Sequence, residues 1–300
     1  MLVEVYWLTK ILPGPASVDL GNKLAEELGV ETVPVEAKSF PDGESYVRIS
    51  GDVENEKVVV VQSTYPPQNT HLVQLLQLLD AARDMKASEV IAVVPYLAYS
   101  RQDKRFRPGE AVSVGTIVRL IEATGVNSLF TVDVHTEKIL ELFRIHAHNV
   151  SATPALGEYF AKLVLKEPYV FAPDEGALPR AKSLAGCLNA DYSFFQKQRD
   201  RVSGAIKTSV KEFEVKDRDA IIVDDIISTG STIANAASML HDQNARRIYV
   251  ACTHPLLLSG AKDRMMSAGV HEIVGTDCVA SEISRVSVAS VVAQSLRKNM

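Results

Sequence analysis

Residues 221–232 read IIVDDIISTGST, and the fold class follows from them. Ile221, Ile222 and Val223 form a β-branched apolar run, the pattern of a strand covered on both faces. Asp224 and Asp225 stand where that strand is expected to end. A loop of small hydroxyl and glycine residues follows, Ser228, Thr229, Gly230, Ser231 and Thr232. Ile233, Ala236, Ala237 and Leu240 then recur at helical spacing, with Thr232 or Ser231 expected as the N-cap. Strand, acidic turn, hydroxyl loop and helix N-terminus together make an anion site. Unpaired backbone N–H groups and the positive end of the helix dipole face the loop, and the hydroxyls add donors. Two aspartates repel a phosphate but accept hydrogen bonds from sugar hydroxyls. A ligand with a phosphate at one end and a diol at the other is a ribose phosphate. The plainer alternative is a buried parallel strand ending in a helix-capping aspartate, with no ligand.

The same strand–helix alternation extends in both directions. Upstream, Val3, Val5 and Trp7 open an apolar segment that passes Pro13-Gly14-Pro15 into a helix with Leu20, Leu24 and Leu28 on one stripe, stopped by Gly29. Strands are expected at 57–62 and 90–94, with Leu72, Leu75, Leu76 and Leu79 on the helix between them. A helix bearing Val114, Ile117, Val118 and Ile121 leads to a strand at 129–132. The alternation restarts near 149–153, where a domain boundary is expected. Strands at 169–172 and 192–195 follow, and beyond the opening motif a strand at 248–252 and helices near 260–268 and 287–298. Such a pattern reads as α/β with mainly parallel sheets, in two doubly wound halves.

Several loops beyond these strands carry chemistry. FPDGES, at 40–45, is turn chemistry inside a hairpin; Phe40, Asp42 and Glu44 also suit stacking on and hydrogen bonding to a purine. YSRQDKRFRPGE, at 99–110, places Arg101, Lys104, Arg105 and Arg107 just past a strand's carboxyl end, where open α/β sheets bind ligands; the alternative is a solvated charged loop. VDVH, at 132–135, sets Asp133 and His135 two residues apart, where strand alternation would aim both into one cleft, although a lone histidine is more often structural. His146 and His148 read as structural. PDEG, at 173–176, again puts an acid, Asp174, after a strand. Lys197 and Arg199 fall in a polar loop at 196–204, ordinary surface residues by composition alone, and a β-flag is expected at 207–214.

Composition excludes several classes. Three hundred residues with 46% apolar content and 23% charge describe an ordinary globular chain, and a net charge of −5 argues against broad nucleic-acid binding. Cys187, Cys252 and Cys278 are too few and too scattered for a disulfide framework or a CxxC metal site, so each reads as a small buried hydrophobe. No apolar run is long enough to span a membrane, which makes a reducing, cytoplasmic setting the expectation.

The doublet and its TG loop resemble the phosphoribosyl-diphosphate (PRPP) signature of phosphoribosyltransferases and PRPP synthetases. Five segments in order, FPDGE, SRQDKR, VDVH, PD followed by G, and VDD with its TG loop, resemble the ribose-phosphate diphosphokinase (PRPP synthetase) family. Many members read DTGGT where this chain reads STGST. Ser228 therefore lacks a charge, and Ser231 would have to take a glycine's backbone angle. Many members also have adjacent Lys-Arg where this chain has Lys197-Gln198-Arg199.

The resemblance implies a phosphoribosyltransferase-like fold of two halves, 1–148 and 149–300, with the active site between them. The reaction implied is Mg2+-dependent transfer of the diphosphoryl group of ATP to the 1-hydroxyl of ribose 5-phosphate, giving PRPP and AMP. It implies Ser228, Thr229, Gly230, Ser231 and Thr232 at the 5-phosphate and Asp224 and Asp225 at the ribose hydroxyls. Arg101, Gln102, Asp103 and His135 would hold ATP, and Phe40, Asp42 and Glu44 would reach the adenine from a neighbouring subunit of a homo-oligomer. Asp174, His135 and Asp133 would serve the metal, and Lys197 and Arg199 the transition state. Two rivals share part of the pattern: inactive PRPP-synthetase-associated proteins and single-domain phosphoribosyltransferases.

Overall fold

The β-branched runs become central strands because only a parallel sheet covered on both faces hides such segments completely. In the computed structural model, which describes residues 9–195, 197–199, 206–208 and 213–299, Val58, Val59, Val60 and Val61 are wholly buried, as are Ile221, Ile222 and Val223. Val3, Val5 and Trp7 lie outside the described residues.

The first sheet is built from β1 (Thr9–Pro13), β2 (Glu31–Thr32), β5 (Lys57–Val61), β6 (Glu89–Val94), β7 (Ser128–Val132) and β8 (His146–Val150), in the order β2-β1-β5-β6-β7-β8. Every neighbouring pair is parallel. Between β2 and β5 the chain makes an antiparallel hairpin, β3 (Val35–Ser39) with β4 (Ser45–Ile49), as the turn chemistry of 40–45 led us to expect. Helices α1 (Val18–Leu28), α2 (Gln68–Asp84) and α3 (Ser113–Ala123) turn the leucine, valine and isoleucine stripes read from the sequence inward. Gly29 ends α1 at φ 71°, and its N–H bonds the carbonyls of Ala25 and Glu26.

After α4 (Thr153–Ala161) the second sheet forms from β9 (Tyr169–Ala172), β10 (Asp191–Phe194), β13 (Asp219–Ile227), β14 (Arg247–Pro255), β15 (Val270–Thr276) and β16 (Ser284–Val286). Its order is β10-β9-β13-β14-β15-β16, again all parallel. The antiparallel pair β11 (Lys197–Arg199) and β12 (Ile206–Thr208) lies between its second and third strands in sequence. Around this sheet run α5 (Leu178–Leu188), α6 (Ser231–Asp242) and α7 (Ala261–Ser267). The final helix, α8 (Ala289–Asn299), buries Val292, Ala293 and Leu296 and belongs to the first compact unit. That unit holds the chain through Ser151 with Cys278–Ala280 and the segment from Ser287; the second holds Ala152–Asp277 with Ser281–Val286.

The two sheets have one topology: second strand at the edge, then first, third, fourth, fifth and sixth, with an antiparallel ribbon between the second and third. The similar sequence endings VDVH and VDDI fall on non-equivalent strands of this repetition. β7 is the fifth strand of its sheet and β13 the third of its own, so the counterpart of β13 is β5.

Cys187 departs from expectation. It is exposed, whereas Cys252 and Cys278 are buried. It sits where α5 crosses α4, and a Cβ on Gly157 would come within 2.6 Å of its own Cβ. The closeness of the two helix backbones selected small residues there, not a need to hide the sulfur.

Candidate functional site

In the second unit, β13 does not end at the acids. It continues through Asp224 and Asp225 to Ile227, with Asp224 opposite Cys252 on β14. The Asp225 N–H donates to Asp224 Oδ1 at 2.9 Å, and the Ile226 N–H donates to Asp225 Oδ1 at 2.9 Å. Burial pushes the Asp224 carboxyl up to about 8, the neighbouring Asp225 pushes the same way, and the Arg180 guanidinium from α5 pulls against them. Ionising Asp224 beside Asp225 therefore carries a cost, which a ligand that donates hydrogen bonds to the pair offsets.

The loop that follows has its carbonyls occupied. Ile227 O accepts from the Leu257 N–H at 3.1 Å, Ser228 O from the Leu258 N–H at 2.8 Å, Thr229 O from Arg264 Nη1, and Gly230 O from the Ala234 N–H at 2.8 Å. What the loop offers a ligand is therefore donors. Thr229 and Ser231 hydroxyls lie 3.4 Å apart, and Ser231 and Thr232 open α6, where the first N–H groups have no partner within the helix.

The cap differs from expectation: neither Thr232 nor Ser231 is the N-cap, which is Gly230 at φ 72°. A Cβ there would stand 3.1 Å from Ala261 O and 3.2 Å from the Met265 side chain, so conformation and space both demand glycine. Ser231 is the first residue of the helix, and the glycine-like angle expected of it belongs to Gly230 alone.

Asp174 follows β9 and caps a short 3-10 turn, Glu175–Ala177, its Oδ1 accepting from the Ala177 N–H at 3.3 Å. A Cβ on Gly176 would come 3.3 Å from that oxygen, so glycine keeps the carboxylate clear. Lys197 and Arg199 lie on β11, not in a loop, with Lys197 opposite Thr208 and Arg199 opposite Ile206. The rest of that polar segment, residues 196 and 200–204, and half of the expected flag, residues 209–212, lie outside the described residues.

In the first unit, the β3–β4 tip is pinned by Phe40 N–H to Glu44 O at 2.8 Å and by Glu44 N–H to Asp42 Oδ1 at 3.1 Å. Phe40 is 42% exposed, and Lys38 Nζ lies 5.5 Å from its ring and 4.8 Å from that of Tyr46. A groove of about 440 Å³ separates Glu44 and Ser45 from Asn69, Val73 and Gln77 of α2.

The basic loop is anchored at both ends. Tyr99, at φ 66°, donates from its hydroxyl to Asn69 Oδ1, and the Glu110 carboxylate accepts the N–H groups of Phe106 at 2.8 Å and Arg107 at 3.0 Å. Arg101 is exposed, and Gln102 and Asp103 are half-buried. Sequence reading missed Lys38, Glu110, Arg180 and Arg264, which act on their neighbours and sit in no periodic pattern.

Asp133 and His135 do not share a strand face. β7 stops at Val132, Asp133 turns to φ 40° and is buried, and His135 is exposed, so strand alternation no longer applies to the pair. His148 stacks on Phe130 with ring centroids 4.6 Å apart. Among the described residues no three His, Cys, Asp or Glu side chains gather as a ready-made metal cage. An Mg2+ that takes one or two carboxylates and draws its other ligands from substrate phosphates and water fits Asp174 without one.

Comparison with known proteins agrees with this fold. Residues 9–125 match the N-terminal domain of ribose phosphate pyrophosphokinase, and residues 141–287 match the phosphoribosyl transferase domain. The ribose-phosphate pyrophosphokinase of Sulfurisphaera tokodaii is 42% identical over 282 residues, covering 94% of this chain and 97% of the relative. That of Methanopyrus kandleri is 43% identical over 288 residues, covering 95% and 98%. The crystal structure of phosphoribosylpyrophosphate synthetase from Mycobacterium smegmatis superposes with a TM-score of 0.85 at 28% identity, covering 97% of this chain and 98% of that one. With both domains matched in order and nearly the whole length shared, the chain is an enzyme that belongs to the ribose-phosphate pyrophosphokinase family.

Proposed function

We propose that this enzyme transfers the β,γ-diphosphoryl group of ATP to the 1-hydroxyl of ribose 5-phosphate, releasing PRPP and AMP. The observation that carries the sugar half of this reading is the 227–232 loop, whose backbone carbonyls are tied off while its donors sit beside two crowded carboxylates. A phosphate takes the donors of Ser228, Thr229, Gly230, Ser231 and Thr232, and sugar hydroxyls donate to Asp224 and Asp225. Binding offsets the cost of ionising Asp224 and fixes the sugar so that its 1-hydroxyl is presented in line.

The ATP half rests on the first unit, as the sugar half rests on the second. Arg101, Gln102 and Asp103 would hold the nucleotide with His135. Phe40, Asp42 and Glu44, at an exposed hairpin tip, would cover the adenine of a neighbouring subunit in a homo-oligomer. Asp174 would hold Mg2+, which when bound neutralises phosphate charge and polarises the transferred group. Lys197 and Arg199 supply cations to the charge that develops on the diphosphoryl oxygens. The three cysteines carry no disulfide, and among the described residues no helix is long and apolar enough to cross a membrane, which supports a cytoplasmic setting.

The test is AMP release from ATP, Mg2+ and ribose 5-phosphate, for the wild type and Lys197→Ala. Sugar-dependent AMP formation that drops by about 10²-fold or more in the variant supports the reading. A wild type that binds ribose 5-phosphate but makes no AMP would be a non-catalytic relative.

A further inference from the structure

The ribose-phosphate loop does not hold its own shape. Its carbonyls point into the segment after β14, where Leu257 is at φ 48°, Ser259 at φ 53° and Gly260 at φ 70°. Leu257 and Leu258 N–H groups bond the carbonyls of Ile227 and Ser228. Farther along, on α7, Arg264 donates from Nη1 to Thr229 O and from Nη2 to Ser259 O, the latter at 3.3 Å. One guanidinium thus ties the middle of the phosphate loop to the segment that braces it. Of the Ser228, Thr229 and Gly230 carbonyls, the first and last accept backbone N–H groups and the middle one accepts the guanidinium. Gly230 next to it is pressed against Ala261 and Met265 of α7 itself. A peptide plane held by the Thr229 carbonyl on one side turns the Gly230 N–H to the other, the side of the donors assigned above to the phosphate.

We propose that Arg264 is a positioning residue for ribose 5-phosphate: it clamps the Thr229 carbonyl to the Ser259 carbonyl and so holds the 228–232 donors in their anion-binding orientation. This rests on the assignment of 228–232 to the 5-phosphate. Arginine suits the task because its planar fork reaches two acceptors at once, whereas a lysine of equal charge presents a single ammonium. The side chain is exposed, so its removal leaves no cavity in the core.

The experiment compares ribose 5-phosphate binding by calorimetry, and KM for each substrate, in the wild type, Arg264→Ala, Arg264→Lys and Thr232→Val. Expected for Arg264→Ala is a rise of about 10-fold in both Kd and KM for ribose 5-phosphate, the scale of a modest loss of preorganisation, with KM for ATP unchanged. Arg264→Lys is expected to stay close to the alanine variant, and added guanidinium ion to recover part of the lost affinity in Arg264→Ala. Wild-type affinity in Arg264→Lys would overturn the clamp in favour of simple charge attraction. Wild-type affinity in Arg264→Ala, with Thr232→Val weakened, would overturn the inference and leave the phosphate site standing. Thr232→Val binding as well as the wild type would remove the phosphate assignment, and the clamp with it.

Discussion

At the scale of single residues, the strongest statement concerns Asp224. Its carboxyl is pushed up to about 8 by burial and by Asp225, so ionising it in the folded state is unfavourable. A carboxyl raised above its unfolded value leaves the fold most stable below about 4, and stability drains away as pH climbs towards 8. Asp224→Asn removes that loss. The ligand-free variant should melt roughly 2–4 °C above the wild type near pH 8, with the two curves converging below pH 4, as calorimetry across that range would reveal. The same substitution should weaken ribose 5-phosphate binding. The site is thus destabilised in order to bind. The acids were legible as a site from their neighbours in sequence, but their raised titration was not, since it depends on burial by distant segments and on Arg180.

At the scale of elements, one unit recurs: strand, hydroxyl-bearing loop, helix. After β13 its hydroxyls are available, while after β5 they are not. Ser63 Oγ donates to Cys278 O at 2.5 Å and accepts from the Tyr96 N–H at 3.0 Å; Thr64 Oγ1 donates to Tyr96 O at 2.8 Å and accepts from the Ala98 N–H at 2.8 Å. Gln62 Oε1 likewise takes the Ala16 N–H at 3.0 Å. The first unit has turned its copy of the loop into a structural knot, which ties in the returning segment at Cys278. That segment leads to α8, packed on α1 with Leu296 fully buried. Leu296→Ala should cost about 2–5 kcal/mol and speed amide exchange in α1 and β1 before it does so in β13 and β14. Equal acceleration in both units would show that they unfold together.

At the scale of the whole molecule, the two sheets repeat one strand order, and each carries an antiparallel ribbon at the same point in its chain. The ribbons bear different chemistry: Phe40, Asp42 and Glu44 at the tip of one, Lys197 and Arg199 along the other. If the first serves a neighbouring subunit and the second its own, mixed oligomers settle the matter. Phe40→Ala and Lys197→Ala chains, each poorly active alone, should recover activity when unfolded and refolded together, because some sites then receive an intact copy of both ribbons. No recovery in oligomers proven mixed would assign both ribbons to one subunit's site.

Much of this was determined by sequence alone. Buried parallel strands need unbroken apolar runs, helices need stripes, and phosphate loops need small residues, so β5, β6, β13, α1, α2 and the 228–232 loop could be read locally. Short or edge strands such as β2, β8 and β16 could not, because their polar residues are held in place by neighbours. Tertiary structure alone decided that the strand runs past the acids, that Gly230 caps α6, that Asp133 and His135 part ways, and that Arg264 braces the loop. Each of these depends on contacts between residues far apart in the chain or on one backbone angle, and neither leaves a periodic trace in the order of amino acids.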